Sequence, residues 1–359
     1  MGIVTIIGSG NGAFGFATWL TSRGYKVVLT DFKEFKGNLL ALKKQGFIEV
    51  EGEIKGRFPV TIADNIGEAV KAAKVVLVVM PAFAHQRLAR EIADFVKPGT
   101  RVILNPGRTG GALEVYRIFQ EKGVNVPVAE TRTLLFACRK RGPTSVRIEG
   151  IKKVLDVAVM PACETSSFID NTILKMFPMY HIMPDVRSTD LNNMGAMLHP
   201  AITVLNACRI ERREEFKFYY EGTSPSVGLL LERLDNERRS IAQAWEGVEV
   251  LTIPEILNRS YSLTQGPIDK MVQENKIYSI SDAPDSLNFR FITEDVPTGL
   301  VPLEIFGRML GVHTPLITAI IEVSQALLGQ DFRLSGRNLK SMGLDGKNLD
   351  EIVHYIRCG

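Results

Sequence analysis

Residues 3–13, Ile3-Val4-Thr5-Ile6-Ile7-Gly8-Ser9-Gly10-Asn11-Gly12-Ala13, decide the fold. Five apolar or β-branched residues make a short buried strand. A glycine-rich turn follows, and from Phe14 to Arg23 the pattern is helical. Small residues at these places suit a dinucleotide pyrophosphate. Gly8 makes the tight turn, Gly10 admits a phosphate against bare backbone, and Ala13 lets the helix pack closely on the strand. Asn11 and Gly12 complete the loop and offer the first amides of the helix. Asp31 ends the next strand, Lys26–Thr30, about twenty residues on, where a carboxylate accepts hydrogen bonds from ribose hydroxyls. A carboxylate there repels a 2′-phosphate, so NAD is the expected nucleotide. Lys33 and Lys36 close behind leave NADP open.

Outward from this unit, short β-branched runs alternate with helical patterns, the signature of βαβ units in a parallel sheet. Strands are expected at Val75–Met80, Arg101–Leu104 and Val126–Ala129. Helices are expected at Phe35–Gln45, Ile66–Ala73, His85–Phe95 and Gly111–Lys122. Ligands of open α/β sheets bind beyond the carboxyl ends of strands. That nominates Met80-Pro81-Ala82-Phe83 and Asn105-Pro106-Gly107, with Pro81 and Asn105 as cofactor contacts. A more antiparallel extension follows: Val146–Glu149, Val154–Val159 and a helix near Ser166–Phe177.

The character changes near Pro184. One long amphipathic helix is expected from Ser188 or Thr189 to about Arg209, then others at Gly228–Trp245, Ile253–Asn258, Pro302–Leu310 and Pro315–Leu328. The expected organisation is an α/β Rossmann domain, a doubly wound sheet over residues 1–186, and a mostly α-helical catalytic domain over 187–359. With 359 residues, the chain is long enough for two cores.

Composition removes several classes. With 45% apolar and 23% charged residues the chain is an ordinary globular protein, and its net charge of +3 is too small to mark nucleic acid as the main partner. Cys138, Cys163, Cys208 and Cys358 lack the spacing of a disulfide framework or a zinc site, so no metal is expected. The longest apolar run, around Val75–Pro81, is far below the ~20 residues that span a membrane. The N-terminus lacks the basic start of a signal peptide. A cytoplasmic protein is expected, with a homodimer as the default assembly.

A hydride transfer needs a group that handles a proton and one that holds substrate charge. The helical half contains three histidines: His199 lies mid-helix in Met197-Leu198-His199-Pro200, His313 belongs to a helix-entry turn, and His354 to the surface of the C-terminal helix. The motif around His199 resembles the opine dehydrogenase family, of the octopine dehydrogenase and N-(1-D-carboxyethyl)-L-norvaline dehydrogenase types. So do Tyr219-Tyr220-Glu221-Gly222-Thr223-Ser224-Pro225-Ser226-Val227 and Arg290-Phe291-Ile292-Thr293-Glu294-Asp295-Val296-Pro297-Thr298-Gly299-Leu300-Val301-Pro302. In the first half, Asn105-Pro106-Gly107-Arg108-Thr109-Gly110-Gly111-Ala112 and Leu135-Phe136-Ala137-Cys138-Arg139 fit as well.

The resemblance covers nearly the whole chain and implies a reaction. A 2-oxo acid, typically pyruvate, condenses with the amino group of an amino acid, and NAD(P)H reduces the imine to a secondary amine. It places the catalytic histidine at His199, its carboxylate partner at Asp295 and a substrate-carboxylate ligand at Arg290. A neighbouring carboxylate orients an imidazole and favours its protonated form, and the guanidinium fork suits a carboxylate. Tyr219 and Tyr220 are candidates for lining the amino-acid pocket.

One position departs from the family pattern. Norvaline-type relatives carry asparagine four residues before the histidine, on the same helix face; this chain has Gly195. Asn192, seven residues before His199, is the candidate to reach that face instead. Two other functions compete. A ketopantoate-reductase-like enzyme would use a lysine on the first helix of the second domain, but Ser188–Arg209 contains none. A regulatory protein that senses NAD(H) without turnover would bind cofactor and oxidise none.

Overall fold

The computed structural model describes residues 2–359. The chain forms two compact units. One comprises the residues through Gly107, Gly111–Val186 and Gly346–Gly359; the other comprises Arg108–Gly110 and Arg187–Asp345. This departs at two places from a division into 1–186 and 187–359. The C-terminal helix Leu349–Cys358 belongs to the first unit, and a three-residue excursion at 108–110 belongs to the second. No local pattern reports either, because each depends on packing between segments far apart in the chain.

The strands of the first unit are β1 (Ile3–Ile7), β2 (Lys26–Thr30), β3 (Phe47–Gly52), β4 (Gly56–Pro59), β5 (Thr61–Ile62), β6 (Ala73–Val78), β7 (Arg101–Leu104), β8 (Val128–Thr131), β9 (Phe136–Gly142), β10 (Ser145–Ile151), β11 (Leu155–Met160) and β12 (Tyr180–Ile182). Eight of them form one sheet in the order β12-β11-β8-β7-β6-β1-β2-β5. From β8 to β5 all pairs are parallel, whereas β11 runs antiparallel to β8. Val4, Ile6, Ile7, Val75, Val76, Leu77 and Val102 are at most 1% exposed, as strands covered by helices on both faces must be. The chain leaves β1 toward β2 and returns on the other side as β6. The β1/β6 boundary is therefore the switch point where such sheets bind ligands.

Four strands make a second sheet, β4-β3-β10-β9, that the sequence reading did not assemble. Phe47–Gly52 does alternate, with Ile48 and Val50 buried and Glu49 and Glu51 exposed, so the period-2 signal was present. The expected helix near 166–177 is two short ones, Thr165–Phe168 and Asn171–Met176, the second capped by the Asp170 carboxylate.

From Val186 onward the expected single helix over 188–209 is three pieces: Val186–Leu191, Met194–Leu205 and Ala207–Glu211. Both breaks fall at asparagines, whose side chains compete for backbone carbonyls. Asn192 Nδ2 donates to Ser188 O (2.8 Å) and Glu249 O (2.9 Å). Asn206 Nδ2 donates to Ile202 O (2.9 Å) and Gly222 O (3.0 Å). Because the first piece already begins at Val186, neither Ser188 nor Thr189 is an N-cap. The helix Pro225–Ala244 starts earlier than its apolar periodicity suggests, since Ser224 caps it and Pro225 takes the first position. Pro315–Leu328 lies where expected.

Candidate functional site

In the first unit, the glycine turn sits at the β1/β6 switch point. Gly8 has φ +131°, and a Cβ there would stand 2.1 Å from Val79 O, so no other residue fits. Gly10 differs: a Cβ on it would meet nothing within 4 Å. Space is open above the turn just where the helix Asn11–Thr21 begins. That combination of bare backbone, room and unsatisfied helix amides fits a pyrophosphate. Gly12 and Ala13 are buried, and Gly12 is small for packing, because its Cβ would press on Leu134 Cδ1 at 2.9 Å.

Asp31 is 5% exposed and ends β2 as expected. Its carboxylate accepts hydrogen bonds from Ser9 Oγ (2.5 Å) and Phe32 N (2.8 Å). Burial pushes this carboxyl above the usual carboxylate range, against the pull of the Ser9 and Phe32 hydrogen bonds. Ser9, lying between the two turn glycines, thus ties the glycine turn to the Asp31 carboxylate. Lys33 is exposed, and Lys36 donates to Asp64 O.

Pro81 is exposed on the loop after β6, directly following the Val79-Met80 pair beside Gly8. Asn105 is buried, with Nδ2 donating to Ile103 O (3.1 Å) and Oδ1 accepting from Thr131 Oγ1 (3.4 Å). Its side chain holds the end of β7 in shape. Asn11 is likewise tied down, its Oδ1 accepting from Lys140 N (3.0 Å).

In the second unit, His199 and Asp295 come together across 96 residues of chain. Nδ1 of His199 lies 2.7 Å from Asp295 Oδ2, and Nε2 lies 2.8 Å from the Tyr219 hydroxyl. Asp295 is fully buried and the His199 side chain is 13% exposed. A short π-helical turn, Val296–Leu300, follows Asp295 directly, and such turns recur at functional sites. Packing fixes the ring: Phe291 stacks on it at 4.4 Å and 27°, and Tyr219 stacks on Tyr278 at 4.1 Å and 16°.

Arg108 completes the cluster. Its Nη1 is 3.0 Å from Asp295 Oδ1 and its Nε is 3.4 Å from Glu294 Oε1. Burial alone would push the Asp295 carboxyl up. The Arg108 guanidinium, then His199, then Arg290 more than offset this and hold it below the usual carboxylate range. Burial also raises the Tyr219 phenol, so it remains protonated and able to donate. Arg290 opens the short helix Arg290–Thr293, is exposed, and acts on both Asp295 and Tyr219 through its charge.

Two expected residues lie elsewhere. Asn192 cannot share the face of His199, because the helix breaks between them. Its amide is spent on Ser188 O and Glu249 O, and its Oδ1 accepts from Leu251 N (2.9 Å). Tyr220 is 48% exposed and makes none of the His199 contacts. Conversely, Arg108, Glu294 and Phe291 were quoted only as parts of motifs. Nothing local in the sequence brings Arg108 to a histidine 91 positions away. Among the described residues no group of acidic, histidine or cysteine side chains is placed to hold a metal ion.

Residues 182–328 match the family described as NAD/NADP octopine/nopaline dehydrogenase, alpha-helical domain. The chain is 39% identical over 344 residues to an opine dehydrogenase from Arthrobacter sp. (strain 1C), covering 95% of each. It superposes on octopine dehydrogenase in complex with NADH and agmatine with a TM-score of 0.81 at 21% identity, over 98% of both chains. It also superposes on NADP+-bound yersinopine dehydrogenase with a TM-score of 0.74 at 16% identity, over 99% of this chain and 98% of that one. With the Rossmann sheet, the glycine turn and a 39% identical opine dehydrogenase matched over 95% of the chain, the chain belongs to the opine dehydrogenase family, NAD(P)-dependent oxidoreductases that act on CH–NH donors by reductive condensation of a 2-oxo acid with an amino acid.

Proposed function

We propose that this chain uses NADH to join pyruvate, or a close 2-oxo acid, to the amino group of an amino acid, with His199 as proton carrier, Asp295 as its orienting carboxylate and Arg290 as ligand of a substrate carboxylate. The observation that carries these roles is the 2.7 Å pairing of His199 Nδ1 with buried Asp295. With Nδ1 committed, protons enter and leave at Nε2, the nitrogen that faces the Tyr219 hydroxyl.

The chemistry then follows. The amino nitrogen attacks the oxo carbon and water departs, leaving a C=N bond. NAD(P)H, when bound, would supply the hydride that reduces the C=N carbon. His199 manages the protons: it takes one from the attacking amine, gives one to the departing hydroxyl, and holds the imine nitrogen's proton in place. Such acid–base help is worth typically about 10²–10⁴-fold. Asp295 stays ionised under Arg108 and favours the imidazolium when it forms. The Arg290 fork makes no hydrogen bond among the described residues, the form in which it meets a carboxylate two hydrogen bonds at a time.

Gly8, Gly10, Asn11, Gly12 and Ala13 form the pyrophosphate loop, and Pro81 and Asn105 flank the nucleotide at the ends of β6 and β7. Both NADH and NADP+ occur in the solved neighbours, so the preference for NADH rests on Asp31. A cytoplasmic homodimer accords with the four free cysteines and the usual symmetry of soluble enzymes. No helix among the described residues is long and apolar enough to cross a membrane.

The test is NADH oxidation with pyruvate, with and without a panel of amino acids, followed by product mass. The expected result is oxidation that needs both substrates and a product of their summed mass, less water, plus two hydrogens. Oxidation by the oxo acid alone would make the chain a simple 2-oxo acid reductase. NADH binding without oxidation under any pair would favour a sensor.

A further inference from the structure

Strand β9 and the turn before it lie along the first turns of the helix Asn11–Thr21. The approach is close enough to need glycine twice. A Cβ on Gly12 would stand 2.9 Å from Leu134 Cδ1, and one on Gly15 would stand 2.9 Å from Phe136 Cδ2. Two hydrogen bonds then fasten the strand to the first residue of the helix: the Cys138 thiol donates to Asn11 O (3.2 Å), and Lys140 N donates to Asn11 Oδ1 (3.0 Å).

This docking delivers the Lys140 side chain to the glycine turn. Its Nζ donates to Ser9 O (3.5 Å) and stands 4.3 Å from the centroid of the Phe14 ring. The side chain is half-buried, and among the described residues no carboxylate lies in ion-pair range of it. Burial lowers the affinity of its amine for a proton, with no anion to offset the effect. A half-buried ammonium loses part of its hydration, and no charged partner here offsets the loss. This one sits at the edge of the open space over Gly10, where helix amides already favour negative charge.

We propose that Lys140 is a ligand of the nucleotide's pyrophosphate, a cation brought to the Rossmann turn from the second sheet. The proposal rests on the reading of Gly8–Ala13 as the nucleotide site and adds the residue that neutralises the phosphates there. Gly12 and Gly15 gain a role on this view, since their lack of side chains is what lets β9 carry the lysine so near.

The experiment is titration of the full chain with NADH, NADPH, ADP-ribose and adenosine, at low and high salt, for the unaltered protein, Lys140→Met and Lys140→Arg. Lys140→Met is expected to weaken NADH, NADPH and ADP-ribose alike by about 10–100-fold, the range of a hydrogen bond to a charged group. Adenosine binding stays unchanged, the salt dependence shrinks, and Lys140→Arg recovers most of the affinity. Unchanged NADH binding in Lys140→Met would overturn the proposal. Loss confined to NADPH would also overturn it, by placing Lys140 on a 2′-phosphate, and an equal loss for adenosine would reduce Lys140 to holding the loop in shape. Gly10→Val keeps Lys140 and blocks the turn. NADH binding that survives it would put the nucleotide elsewhere and sink the underlying reading of the loop together with the proposal.

Discussion

Arg108 Nη1 lies 2.8 Å from the position that a Cβ on Gly195 would occupy, and 3.0 Å from Asp295 Oδ1. The glycine at the place where the family resemblance led us to expect asparagine is therefore not an empty site. Its missing side chain leaves the volume through which the guanidinium reaches the dyad carboxylate, and His199 Cε1 borders the same space at 3.3 Å. Arg108 itself adopts φ +64°, a conformation that non-glycine residues occupy infrequently. Restoring a side chain at 195 should force the guanidinium away. Gly195→Ala is expected to lower kcat about tenfold, a value that stands for roughly 1.4 kcal/mol.

The pH profile carries the sign of this effect. Asp295 is held below the usual carboxylate range, so its contribution to stability is complete above the unfolded value near 4 and is lost only as pH falls through the still lower folded value. Arg108→Met removes the largest neighbour opposing burial. Protonation of Asp295 then moves to higher pH, and the acid limb of kcat/KM moves up with it. The same variant takes the guanidinium away from buried Asp295 and should cost ~3–5 kcal/mol of stability. Gly195→Ala, which keeps every charge, should show the upward shift of the acid limb with a much smaller fall in Tm. An unmoved acid limb in both variants would remove Arg108 from the dyad's electrostatics.

His199→Ala should cut turnover by about 10²–10⁴-fold and leave the NADH dissociation constant nearly unchanged. The glycine turn proposed to bind the nucleotide belongs to the first unit, whereas His199 and its contacts belong to the second. Equal losses in turnover and NADH affinity, measured by single-turnover kinetics and direct titration, would mean that the histidine is structural.

Arg290→Gln separates substrate binding from folding. The side chain is exposed and makes no hydrogen bond or ion pair among the described residues, so Tm should stay within about 0.5 kcal/mol equivalent of the unaltered protein. If the guanidinium holds a substrate carboxylate, KM for one substrate should rise about 10–100-fold, and Arg290→Lys should restore only part of it. An unchanged KM for both the oxo acid and the amino acid would exclude this role.

Legibility in the sequence followed the range of the forces involved. The Rossmann half was readable because β1, the turn and Asp31 are local patterns whose chemistry is fixed by backbone and spacing. The dyad was found through its motifs, His199 within 197–200 and Asp295 within 290–302, although neither run alone says that they meet. What escaped were contacts made by folding. Arg108 enters the cluster through a three-residue excursion, and Lys140 reaches the turn through a second sheet. Asn192 failed as a candidate for the opposite reason. It sits at regular helical spacing from His199, but its own amide captures Ser188 O and the helix stops there.

Asp31 offers a test that uses its titration. Ser9 and Phe32 hydrogen bonds point the carboxylate, and burial raises its protonation above the usual range. On the proposed role its charged form accepts from ribose hydroxyls and repels a 2′-phosphate, so Asp31→Ala should weaken NADH by about 10–100-fold while NADPH weakens less or gains. Lowering the pH protonates Asp31 in the unaltered protein sooner than it would an ordinary carboxylate, and the preference for NADH over NADPH should therefore narrow as pH falls. The 2′-phosphate itself titrates near 6 and does so for every variant. Only the part of the pH dependence that disappears in Asp31→Ala belongs to the carboxylate. The same slope in both proteins, with the same ratio of dissociation constants at pH 7.5, would take Asp31 out of nucleotide selection.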